Sequence, residues 1–215
     1  MKSKTDIYKE ELLNTITHGF GVIAGLIASI IMLTHASSTG DHWYLWSTLT
    51  FCMTLVILYS SSTIYHSYSG NKLKKLLRKF DHSAIFLFIA GSYTPFTLVT
   101  LRDQGFWGWS LFSFIWLAAL TGTIISFCYI KGSIIKTICY LLMGWMVIVA
   151  IKPLYNTLLS TDRIEVFYWL IAGGVFYSLG TIFFTLDKLK YMHAIWHLFV
   201  LGGSICHFMA IYLII

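Results

Sequence analysis

The run MHAIWHLFVLGGSICHFMAIYLI, residues 192–214, decides how this chain folds. It carries no acid, lysine or arginine, and about 20 mostly apolar residues suffice for a helix to cross the hydrocarbon of a bilayer. Its first turn holds His193 and His197. On a helix, residues four apart lie about 40° apart around the axis and roughly 6 Å apart along it, so both imidazoles can face one point.

Outward from this stretch, six more segments have the same character: roughly 17–36, 43–66, 81–101, 106–128, 133–151 and 164–184. With 57% hydrophobic and only 11% charged residues, and a mean hydropathy of +0.74, the chain could not cover its surface with polar groups in water. Soluble domains carry about 25% charged residues. The expected fold is therefore all-α, an integral membrane bundle of seven transmembrane helices in one domain over 1–215. A short cytoplasmic segment, about 1–16, precedes the first span. No break is long enough for a soluble domain, and no short apolar core with a cleavage site marks a signal peptide.

Orientation follows from the basic residues. With the N-terminus in the cytoplasm, twelve of the fifteen lysines and arginines fall inside: Lys2, Lys4, Lys9, Lys72, Lys74, Lys75, Arg78, Lys79, Lys131, Lys136, Lys188 and Lys190. Only Arg102, Lys152 and Arg163 fall outside. The C-terminus is then outside, and Trp43, Trp46, Trp107 and Trp109 open spans at the outer interface as an aromatic belt. The net charge of +6 reads as orientation and phospholipid contact, not as a nucleic-acid surface. Lys72 to Lys79 read as a solvated loop at anionic headgroups.

Small and special residues have structural readings. Cys52, Cys128, Cys139 and Cys206 form no CxxC pair and read as buried packing residues. Gly21 with Gly25, and Gly173 with Gly174, suit close helix packing. Pro95 removes a backbone donor inside the third span and predicts a kink.

The topology sorts the histidines by depth. His18, His66, His82, His193 and His197 all reach one membrane level, on the cytoplasmic side, although they span nearly the whole chain. Ionisable groups inside a span are costly and tend to face the bundle interior. Imidazole is a favoured zinc ligand, and three protein ligands with one open position is the usual catalytic arrangement. His66, His193 and His197 are the expected ligands. Ser62, one turn before His66, and Asp81, at the start of the third span, are the expected catalytic pair, holding the attacking water and accepting its proton. His18 and His82 are weaker candidates. His35 and His42 read as interfacial residues. His207 lies about 15 Å beyond His197, too far for the same ion, and reads as a buried hydrogen-bonding residue.

These residues carry a resemblance. Glu11-xx-Asn14-xxx-His18-Gly19, Ser62-xxx-His66, Phe80-Asp81-His82-Ser83 and His193-xxx-His197 resemble the bacterial hemolysin III family, from about residue 8 to the C-terminus. The progestin and adipoQ receptors and, more distantly, the alkaline ceramidases are its relatives. The resemblance implies seven helices holding zinc near the cytoplasmic face, with His66, His193 and His197 as ligands and Ser62 and Asp81 holding water. Hormone reception does not transfer, because the chain lacks a large extracellular ligand surface.

The expected function is a zinc-dependent hydrolase of lipid amide or ester bonds near the cytoplasmic leaflet, in a bacterial cytoplasmic membrane. The alternative is a non-enzymatic cytolysin, channel-like protein or regulator of membrane lipid state with structural zinc. Membrane lipids are the expected partners, as surroundings and as substrate, with no nucleic acid and no protein partner.

Overall fold

Ser3 starts the first helix. Its hydroxyl accepts the backbone N–H of Asp6 while the Asp6 carboxylate receives the backbone N–H of Ser3, a reciprocal cap that supplies two otherwise orphaned donors with partners. The structure, a computed structural model, describes residues 3–128, 133–186 and 189–215. Lys2, Lys131 and Lys188, counted above among the basic residues, lie outside the described residues. Among the described residues there is no strand.

The elements are α1 (Lys4–Ser38), α2 (His42–Ser67), α3 (Asn71–Pro95), α4 (Trp107–Cys128), α5 (Ser133–Gly144), α6 (Ile151–Ser160), α7 (Ile164–Thr185) and α8 (Met192–Ile214). Seven spans result, because α5 and α6 form one span joined by a 3₁₀ turn at Met146–Ala150. The phenol of Tyr93 bridges that break, donating to the Gly144 carbonyl (2.8 Å) and accepting from the Val147 N–H (2.8 Å). Two backbone groups released by the break thus keep partners inside hydrocarbon, as a spanning chain requires.

Helix α3 is the axis of the bundle. It packs on α2, α4, α5 and α8, and 72% of its apolar window is buried, against 17% for α7. The chain's ends close the ring, with α1 against both α2 and α8. The outer surface is apolar: Ile23, Ile30, Leu117, Ile124, Ile135 and Leu142 are each more than 60% exposed. A girdle of that kind is costly in water and favourable against acyl chains.

Four boundaries or burial states differ from the sequence reading. Helix α1 begins at Lys4, so the segment before the first span is continuous with it. The Lys72–Lys79 run is the opening of α3, not a loop. The fifth span continues through Lys152 to Ser160. Hydropathy stops at the first charged turns, whereas a helix continues through them when lysine stems lie along apolar surface and their heads reach water. Pro95 does not break its span: a π turn over Phe96–Thr100 follows it, with the Leu101 N–H donating to Phe96. Among the cysteines, Cys52 and Cys206 are buried, but Cys128 is exposed and Cys139 half-buried.

Candidate metal centre

His66 is fixed from three sides. Its helix α2 places it one turn beyond Ser62, and α1 brings Glu11 to it: the carboxylate lies 2.7 Å from His66 Nδ1. A carboxylate only accepts, so this contact makes Nδ1 the protonated nitrogen and leaves the lone pair on Nε2. His66 Nε2 is buried and has no protein partner. Lys74, from the first turns of α3, donates to the other Glu11 oxygen at 2.8 Å, and Asn14 Nδ2 stands 3.4 Å from the same imidazole.

His197 is oriented in the same manner. Its Nδ1 lies 3.1 Å from the Thr17 hydroxyl. That hydroxyl already directs its hydrogen to the carbonyls of Leu13 and Asn14, so it accepts from Nδ1–H and leaves the Nε2 lone pair for another partner. Glu11, Asn14 and Thr17 stand three residues apart in succession, on one flank of α1. The charged extension of the first helix is therefore what aims two imidazoles.

The start of α8 is held by α1 too. Tyr191 precedes the helix with φ +66°, a left-handed conformation uncommon outside glycine. Its N–H donates to the Glu10 carboxylate, and Lys190 pairs with Asp6 at 2.9 Å, which raises the lysine's pKa above its ordinary value. These contacts set where the first turn of α8, with His193, meets α2.

The outcome is convergence. Ring centroids lie 5.0 Å apart for His66 and His193, 5.1 Å for His66 and His197, and 4.7 Å for His193 and His197. One donor atom from each lies within 4.8 Å of the others, a group that could hold a metal ion. The buried, unpartnered Nε2 of His66 fits that use: it is a lone pair aimed at a shared centre, and metal-bound histidines hold their second nitrogen to a carboxylate or hydroxyl in this way.

The other residues named from sequence fall around the trio. Ser62 is within hydrogen-bonding range of the Asp81 carboxylate. His18 stacks on His197 with centroids 3.5 Å apart and has both ring nitrogens buried without a partner, so the structure brings it into the site. His82 lines the same cavity but is not one of the convergent trio; it stands 3.4 Å from the Arg78 guanidinium nitrogen and against Phe184. His207 makes no hydrogen bond with any described residue, contrary to the expectation of a satisfied buried histidine.

Behind the trio runs an internal cavity, mostly apolar, that Asp81, Ile85, Phe88, Leu101 and Leu111 line together with His18, His193 and His197. Asp81 and Leu101 stand twenty residues apart on one span, about 30 Å of helix, so the cavity extends over most of a hydrocarbon thickness.

Comparison with known proteins agrees with this architecture. The model of the family described as "Haemolysin-III related" matches residues 7–208. The chain is 45% identical over 212 residues to "Hemolysin-3" of Bacillus cereus, covering 98% of this chain and 94% of that protein. It is 42% identical over 204 residues to "Hemolysin-3 homolog" of Bacillus subtilis, with 94% and 93% covered. The human "Monocyte to macrophage differentiation factor" is 32% identical over 210 residues, covering 94% of this chain and 83% of that protein.

Proposed function

The chain belongs to the haemolysin-III family, and from that premise we propose that it is a zinc-dependent hydrolase of lipid amide or ester bonds. The observation that carries the reading is the union of three convergent imidazoles with a carboxylate at the head of a long apolar cavity. Three neutral imidazoles suit zinc and leave one position open. Zinc, when bound there, supplies a hydroxide equivalent near neutral pH and a Lewis acid for the carbonyl.

The protein's own residues do the remainder. The cavity takes the acyl chain and leaves the scissile carbonyl beside His66, His193 and His197. Asp81, steadied by Ser62, accepts the proton of the attacking water and returns it to the leaving nitrogen or oxygen. One C–O bond forms and the C–N or ester C–O bond breaks, giving a free fatty acid and an amine or alcohol. His18, with unpartnered nitrogens facing the same space, is placed to donate to the carbonyl oxygen. By the distribution of lysine and arginine, this end of the bundle faces the cytoplasm. The Bacillus relatives agree with a bacterial cytoplasmic membrane.

The names of those relatives favour a second reading, cytolysis. The mostly apolar cavity is a poor water-filled lumen, which supports the enzymatic reading over a pore. Purified protein in lipid vesicles separates the two. Released fatty acid, measured by mass spectrometry and lost with a chelator and in His193→Ala, is the expected result. Hydrolysis at the wild-type rate in a metal-free His193→Ala protein would sink the proposal, and leakage of an entrapped dye without hydrolysis would replace it with the cytolytic reading.

A further inference from the structure

His207 lies in the middle of α8, buried to 8% exposure, and lines the same cavity as the metal-ready histidines. Both of its ring nitrogens are buried without a partner. An imidazole in this state forfeits the hydrogen bonds it would make in water, and buried polar groups are rarely left so. The neighbouring hydroxyls do not serve it. Tyr59 donates to Ser204 at 2.7 Å, and Tyr177 meets the same Ser204 hydroxyl at 3.0 Å, so these three bond one another and none of them bonds His207. Tyr177 meets His207 ring to ring, nearly perpendicular, with centroids 5.3 Å apart.

The ring is nonetheless held in place. It packs on the bare backbone of Gly173, where a Cβ would come within 2.2 Å of the imidazole. Glycine at 173 is what lets the side chain occupy this position beside the cavity.

We propose that His207 recognises a hydroxyl carried in mid-chain on the acyl group of a bound lipid, and so sets which lipids the cavity prefers. This rests on the hydrolase reading above for the placement of the carbonyl. The chemistry follows from the site. The Nε2 edge of the ring lies on Gly173, which leaves Nδ1 as the nitrogen for a guest, and a hydroxyl can meet it as donor or as acceptor, whichever tautomer the imidazole adopts. A charged group is excluded, because Asp81 is the one acid, lysine or arginine among the described residues lining the cavity, and it stands at the metal-ready end. Ten helical residues separate His197 from His207, about 15 Å, which places the hydroxyl roughly a dozen carbons along an extended chain from the reacting carbonyl.

The test uses the full chain in nanodiscs, equilibrated with an equimolar mixture of two eighteen-carbon fatty acids, one hydroxylated at its twelfth carbon and one unsubstituted. Retained acids are counted by mass spectrometry. The expected result is an excess of the hydroxylated acid of up to about tenfold, the worth of one well-made hydrogen bond. His207→Leu, close in volume, brings the ratio to near one while total retention persists, and His207→Gln keeps part of the excess. Equal retention by the wild type, or an undiminished excess in His207→Leu, overturns the proposal and leaves the hydrolase reading standing. Retention of neither acid removes the acyl cavity and both readings with it.

Discussion

His197 and His207 stand on the same helix, both buried and both lining one cavity, yet their surroundings are opposite. His197 has Nδ1 tied to Thr17, and its ring lies beside His66 and His193. His207 has nothing on either nitrogen. The first arrangement spends one nitrogen on orientation and frees the other for a shared centre. The second orients the ring only by shape, with its Nε2 edge on Gly173, and leaves Nδ1 for a guest. Burial alone therefore does not say what a membrane histidine is for. How many of its nitrogens are already committed does.

Removing a member of the trio should have the largest effect. His66→Ala and His193→Ala are expected to reduce bound zinc from about one per chain to near zero by elemental analysis, while His207→Leu leaves it unchanged. Zinc retained at the wild-type level without His193 would break the contrast between the two histidine environments.

Next comes the residue that commits one nitrogen of His66. Glu11→Ala should weaken zinc affinity by about 10- to 100-fold, the usual effect of losing a partner behind a metal ligand, measured by competition with a chelator. Glu11→Gln should fall between, because an amide oxygen still accepts from Nδ1–H but carries no charge.

Gly173→Ala sharpens the other side. The added methyl overlaps the His207 ring, so a loss of about 1–3 kcal/mol in stability is expected from overpacking, read from unfolding in detergent, with zinc content unaffected. A fall in zinc content would mean that the two sites are not independent.

The smallest effect belongs to Thr17→Val. It removes one neutral hydrogen bond to His197, worth about 0.5–1.5 kcal/mol, so zinc affinity should fall severalfold at most. A loss as large as that of Glu11→Ala would show that orientation of His197, not of His66, limits the site.

The sequence made the bundle legible because hydropathy is a sum over many residues, and seven long apolar runs leave no other fold. His193-xxx-His197 was legible because helical spacing is local, and His66 because alternation of spans puts its depth level with theirs. Asp81 beside Ser62 followed from the same alternation. The contacts of α1 were not legible. Glu11 and Thr17 meet histidines 55 and 180 residues away; Glu11 falls in the short segment before the first span and Thr17 at that span's start, and hydropathy does not report that one helix runs through both from Lys4. One signal was available: Glu11, Asn14 and His18 recur at intervals of three and four, which is one face of a helix if the helix begins early enough. The state of His207 was hidden for a different reason. Whether a buried nitrogen has a partner depends on the rotamers of Tyr59, Tyr177 and Ser204, and no spacing rule reports that the three bond one another instead of the imidazole.

The closure of the ring by α1 and α8 has a consequence for biosynthesis. A ribosome delivers Glu11, Asn14 and Thr17 first and His193 and His197 last, so a nascent chain holds at most one of the three imidazoles until its final helix has entered the bilayer. The group that could hold a metal is thereby assembled only once α8 is in place, and a product cut short before α8 would lack two of its three imidazoles.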